Sequence, residues 1–168
     1  MSVKTVVRST VARMTMSDAD VRALLHKDHV EALDVAKRMK ESKSATVRSA
    51  LFVKLKAALT AHSRAEEKVV YNALLGVKSK ESRDYGNEGF VEHTLVDDLF
   101  KRLTAGDSST DTWQAQAKVL HELLDHHIAE EQRDVFSNLG EHFSSEQLEQ
   151  MGKKFLAAKS SILKRKKK

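Results

Sequence analysis

Four histidines carry the chemical interest of this 168-residue chain, because their spacing puts each of them on an apolar helical face. His62 shares its stripe with Leu55, Ala58, Leu59, Glu66, Val69 and Val70. His127 repeats the pattern with Leu120, Leu123, Leu124, Glu131 and Val135. In both stretches a Glu follows the His by one turn and an aromatic residue, Tyr71 or Phe136, comes nine positions after it. An ionised carboxylate inside an apolar stripe costs several kcal/mol unless a cation or hydrogen-bond donors compensate. His29 lies among Leu25, Ala32, Leu33 and Ala36, and His93 among Phe90, Val96, Phe100 and Leu103, with Asp97 one turn on.

The other histidines sort differently. His126 aligns with Glu122, Glu130 and Arg133, a solvent face. His26 precedes His29 by one turn on roughly the same face and reads as a boundary residue beside the site, with ligation as its alternative. His121 and His142 read as partly exposed and structural. One buried His is ordinarily a satisfied core residue. Four inward His and two inward Glu, spread over four helices, point instead to a core metal site. Imidazole and carboxylate together suit iron, zinc, copper or manganese. Two Glu between two sets of His have the disposition to bridge a pair of metals roughly 3.5–4 Å apart.

Other chemistries find no support. No His has a Glu three residues before it, so the Glu-x-x-His pairs of ferritin-like di-iron sites are missing. His121-Glu122 opens like a zincin motif, but Asp125 stands where the second His belongs. There is no Gly-rich phosphate loop and no Cys, which excludes thiolate metal sites, disulfides and Cys nucleophiles.

Long helices must position these residues. Ser17 and Asp20 offer a capping arrangement for a first helix reaching about Ser42, and a second runs from about Thr46 to Gly76. The polar stretch from Val77 to Gly89 reads as a loop. A third helix then ends near Leu103–Gly106, and a fourth runs from the Asp107–Asp111 region to Gly140. Ser144 and Gln147 open a shorter fifth helix. The expected fold is all-α, an antiparallel up-down four-helix bundle with a short C-terminal extra helix. Residues 1–17 form an N-terminal segment, 18–140 the bundle, and 141–168 the extra helix and a basic tail.

Composition agrees: 40% apolar, 32% charged, no Pro and six Gly argue against turn-rich β folds. No stretch approaches the roughly 20 apolar residues of a membrane span. The first 16 residues lack a continuous apolar core, so a soluble, cytoplasmic protein is expected. The net charge of +5 is local. Eight basic residues and no acid lie within 153–168, which leaves the first 152 residues at −3. Such a tail suits a solvated helix end first, and contact with nucleic acid or an anionic membrane second.

Taken together, Leu25-His26-Lys27-Asp28-His29, His62 with Glu66, Glu92-His93, and His127 with Glu130-Glu131 resemble the hemerythrin-like HHE cation-binding family over about residues 18–140. The resemblance implies a bundle enclosing a non-haem di-iron centre, two iron ions joined by an oxo or hydroxo bridge. It makes His29, His62, His93 and His127 terminal ligands and Glu66 and Glu131 bridging ones. It also implies binding or sensing of dioxygen or a related small oxidant, with peroxide decomposition as an alternative. Many family members have Pro after the Glu motifs, where this chain has Asn72 and Ser137. Oxygen-carrying members have a fifth His a turn after that of the third helix, where this chain has Asp97. Asp97 or His26 is the expected additional ligand, with an open coordination position as the other outcome.

Overall fold

The computed structural model describes residues 17–165; residues 1–16 and the last three lysines of the expected tail lie outside it. Helix α1 spans Val21–Glu41 and starts at Asp20, whose carboxylate accepts the N–H of Arg22. Helix α2 spans Ala45–Glu66 behind the Ser44 cap. It runs into a π-helical turn, Glu67–Tyr71, and then α3, Asn72–Leu75. Helix α4 spans Lys80–Ala105, capped by Ser79. Helix α5, Asp111–Glu130, is capped by Thr110 and continues through a second π-helical turn, Glu131–Val135, into α6, Phe136–His142. Helix α7 covers Ser145–Arg165.

Four rods form the bundle: α1, α2 with α3, α4, and α5 with α6. The links between rods are short, residues 42–44, 76–79 and 106–110, which forces neighbouring rods antiparallel. Helix α1 packs on α2 and α5, while α4 packs on α5, α3 and the first π turn. Helix α7 is as long as α1, longer than the sequence suggests, and lies against α1 and α2.

The apolar interior is divided in two. One cluster gathers Met39, Phe52, Leu55, Phe100, Trp113, Leu120 and Leu124. The other gathers Leu25, Tyr71, Leu74, Leu139, Leu148, Met151 and Phe155. On each rod the inward His, or His and Glu, falls between the residues of one cluster and those of the other. A polar layer is thereby sealed from both ends by close-packed hydrocarbon.

Two boundaries differ from the sequence expectation. The stretch 77–89 is not a loop, since α4 already begins at Lys80 and carries Gly86 and Gly89 inside it, both buried. These glycines admit a neighbour. A Cβ on Gly89 would collide with the Tyr71 ring, and one on Gly86 would sit 3.2 Å from the Tyr71 carbonyl oxygen. Gly140 does not end its helix either; it lies within α6 and leaves room for the Arg22 guanidinium.

Candidate metal centre

The two π turns follow directly on the two His-Glu motifs. Each contains a backbone bond that reaches back five residues, Asn72 N–H to Glu67 O and Phe136 N–H to Glu131 O. A π turn inserts one residue into the helical register, so residues five apart face the same way. Glu66 and Tyr71 therefore both point inward, 0% and 1% exposed. The helix continues beyond each π turn because Asn72 and Phe136 supply N–H donors. A Pro at Asn72 would remove one of them.

The sequence-predicted residues His29, His62, Glu66, His93, His127 and Glu131 come together in one buried layer. His29 Nε2 lies 3.2 Å from His62 Nε2 and 3.2 Å from Glu131 Oε2. Glu66 Oε2 is 3.3 Å from His62 Nε2 and 3.4 Å from His93 Nε2. His127 Nε2 is 3.8 Å from Glu131 Oε2. Each carboxylate thus stands between two histidines on different helices, Glu66 between His62 and His93, Glu131 between His29 and His127. Two compact donor groups share Glu66: His29 with His62, and His93 with His127.

All four rings are held from behind. His62 Nδ1 meets Asp28 at 3.0 Å, His93 Nδ1 meets Glu67 at 3.0 Å, and His127 Nδ1 meets Glu92 at 2.5 Å. Gln132 Nε2 lies 3.4 Å from His29 Nδ1. The three carboxylates accept from Nδ1–H and so fix the tautomer that leaves Nε2 of His62, His93 and His127 free to bind a metal. Asp28 is itself held by Lys159 of α7 at 2.6 Å, and Phe155 of α7 stacks edge-on against His62. Sequence reasoning noticed Asp28 and Glu92 only as motif neighbours and assigned them no task. The signal was available: an acidic residue stands immediately before His29 and before His93, one position off the apolar stripe.

The electrostatics describe a site short of positive charge. Neither oxygen of Glu66, nor Glu131 Oε2, has a well-aligned hydrogen-bond partner, although both residues are almost wholly buried. Burial, and then the charge of Glu66, push the Glu131 carboxyl well above the ordinary range. Burial acts the same way on Glu66, but His62 outweighs it and holds that carboxyl low. Burial and the nearby His62 push His29 down to about 3. His62 is raised to about 9 because Glu66 and Asp28 outweigh its burial. Orphaned carboxylate oxygens among imidazole nitrogens are the donor set a cation completes. The residues fit a bound metal.

Tyr71 is the functional neighbour that sequence reasoning left without a role. Its hydroxyl is 3.4 Å from His93 Nε2 and 3.5 Å from Glu131 Oε1. The recurring aromatic after each motif was the visible clue. Phe136, its counterpart, instead stacks on the His29 ring and brings no polar atom. The two additional residues expected at the site are not brought to it. Asp97 accepts a hydrogen bond from Arg64, which also reaches Glu67 at 2.8 Å. His26 is exposed on α1. One helical turn is too coarse a measure, since it places a residue on a face without saying which cation claims it. A cavity of about 10 Å³, bordered by all four histidines and by Leu59, Val96, Leu124 and Ile128, lies beside the cluster.

An all-helical bundle with a buried, doubly carboxylated histidine cluster defines a protein built to hold cations in its core. The chain belongs to the family described as the Hemerythrin HHE cation binding domain, whose model matches residues 20–139. A hemerythrin HHE cation binding domain-containing protein from Mycobacterium kansasii has the same fold. Its crystal structure superposes with a TM-score of 0.74 at 23% identity, over 87% of this chain and 88% of that one. A DNA nickase from Nostoc sp. is 26% identical over 148 residues, which make up 88% of this chain and 41% of that protein. The chain therefore spans less than half the length of that curated relative. Among the described residues, no helix is long and apolar enough to cross a membrane.

Proposed function

We propose that this chain holds two iron ions in its core and binds or senses dioxygen or a related small oxidant. One observation carries the reading: four imidazole nitrogens converge on two buried carboxylates, three of whose four oxygens lack hydrogen-bond partners. His29 and His62 would hold one ion, His93 and His127 the other, with Glu66 and Glu131 shared. Iron in such a setting supplies reversible electron transfer to a small oxidant. The chain's own residues do the rest. Asp28, Gln132, Glu67 and Glu92 keep the four rings oriented. The two apolar clusters keep bulk water from the layer. The cavity of about 10 Å³ that all four histidines border has room for a molecule near the size of water.

The geometry also favours an open position on each ion. Two imidazoles and two shared carboxylates supply about four donors, and Asp97 is spent on Arg64. Open positions favour reactive chemistry, so iron-dependent peroxide decomposition at the same centre is the second reading. A third, contact with nucleic acid through the basic C-terminal residues, draws on the resemblance to a DNA nickase. Lys159 is not free for that purpose, because it is bound to Asp28.

The deciding experiment loads untagged protein with ferrous iron under anaerobic conditions, desalts it and counts metal per chain. About two irons, with visible bands that change on oxygenation and reduction, support the reading. A folded chain that retains none overturns it. A His62→Ala/His127→Ala double variant that keeps full iron content also overturns it. Steady oxygen release from peroxide, lost in Glu66→Ala, would move the second reading to first place.

A further inference from the structure

The cluster has two approaches from the surface, and they differ in charge. On the α1–α2 side, a cavity of about 40 Å³ reaches His62 past Lys54 and Lys159, which are paired with Glu31 and Asp28, so that their charges cancel. On the α4–α5 side, a cavity of about 60 Å³ leads to His127 and Glu131 past Glu88, Glu92, Glu130 and Asp134. Among the described residues, one cation faces those four carboxylates closely: Arg133, 2.7 Å from Asp134 and 3.6 Å from Glu130. At the rim, His126 Nε2 lies 3.2 Å from Glu130 Oε2. Ligand atoms of Glu92, His126 and Glu130 come within 4.8 Å of one another, close enough to hold a metal ion together. At the base stands Glu131, 2% exposed, with its unpartnered Oε2. The rim is exposed, whereas the base is dry.

We propose that this acidic approach is the route by which divalent metal reaches the core, with Glu92, His126 and Glu130 as a transit site. This rests on the reading of the core as a metal centre and adds how that centre is filled. A ferrous ion is drawn by the carboxylate rim, exchanges part of its water for His126 and Glu130, and passes to the Glu131 and His127 donors. Glu92 belongs to both stations, since its other contact is His127 Nδ1. The α1–α2 side, where Lys54 and Lys159 are paired with Glu31 and Asp28, offers the same ion no net attraction. A mouth lined by one sign of charge raises the capture rate of its counter-ion roughly 10- to 1000-fold and leaves the equilibrium at the far site untouched. Kinetics and capacity should therefore separate.

The test is the rate of anaerobic ferrous loading into metal-free protein, stopped at intervals with a colorimetric ferrous chelator, alongside final metal content. Glu130→Gln and His126→Ala, combined with Glu88→Gln, should load at least about tenfold more slowly and show a weaker salt dependence, yet reach wild-type content. Lys54→Gln should not slow loading. Wild-type loading rates in the α4–α5 triple variant, beside a normally filled wild type, overturn this proposal alone. So does a rate that falls with Lys54→Gln instead. A wild-type chain that takes up no metal at all overturns the metal-centre reading and this one with it.

Discussion

Glu66 and Glu131 are chemically the same residue in the same kind of motif, and their surroundings drive their carboxyl groups apart. His62 holds the Glu66 carboxyl low against its burial, while burial, and then the charge of Glu66, favour the neutral form of Glu131 in the metal-free chain. An amide is close in shape to a neutral carboxyl. Glu131→Gln should therefore leave the stability of the metal-free protein within about 1 kcal/mol of wild type while removing most of its metal retention. Thermal melts in chelator and metal analysis after desalting check the two halves separately. Tyr71→Phe tests a different atom. Its hydroxyl makes only long contacts, 3.4 and 3.5 Å, so the fold should lose no more than about 1 kcal/mol. The visible spectrum of the loaded protein should shift, because the hydroxyl touches both His93 Nε2 and Glu131 Oε1. An unchanged spectrum would reduce Tyr71 to a packing residue.

At the level of elements, the close approaches bought by small residues decide where the site lies. A Cβ on Gly152 would run into the Ala19 carbonyl oxygen, where α7 crosses the start of α1. That oxygen is backbone and cannot swing aside, so Gly152→Ala should cost about 1–3 kcal/mol through overpacking, read as a lower denaturant midpoint. Gly89→Ala should cost a similar about 1–3 kcal/mol by displacing the Tyr71 ring. It should disturb the centre as well, because the hydroxyl moves with the ring. Helix α7 matters to the site through Lys159 and Phe155, which brace Asp28 and His62. Losing a partner behind a ligand costs about 10- to 100-fold in metal affinity, and Lys159 stands one contact further out. Lys159→Met should weaken metal retention by up to about tenfold, measured by competition with a chelator, and Lys159→Arg should restore most of it.

Over the whole molecule, the buried titratable layer sets how the metal-free protein responds to pH. His29 is lowered from 6.5 to about 3, so the stability tied to it is complete above 6.5 and drains away as pH falls toward 3. Asp28, held low against its burial by His62 and Lys159, acts in the same sense at lower pH. His62 has the opposite sign. Raised from 6.5 to about 9, it contributes fully below 6.5 and loses that contribution as pH climbs to about 9. Glu131 adds to the alkaline loss, since its carboxyl is raised. Metal-free protein should therefore be most stable close to pH 6.5 and weaken on both sides, as melting temperature against pH would show. A flat profile through neutrality would mean that the two histidines titrate as ordinary surface groups. Bound metal competes with protons for the same donors, so metal retention should fall steadily as pH is lowered.

The fold class, the helical periodicity and the six inward donors were legible from sequence alone, because a 3.6-residue repeat assigns residues to faces without reference to any partner. The twofold His-Glu motif was legible for the same reason. Four matters needed the tertiary structure. Gly86 and Gly89 look like turn residues until the Tyr71 backbone is seen against the one and the Tyr71 ring against the other. Asp97 lies on the right helix at the right turn, but Arg64 from α2 claims its carboxylate. Lys159 reads as part of a solvated basic tail, but its ammonium closes on Asp28, 131 residues away in sequence. The acidic approach and the charge-balanced one combine side chains from different helices, and local spacing carries no record of that. Periodicity says which side of a helix a residue occupies. Packing alone decides what it meets there.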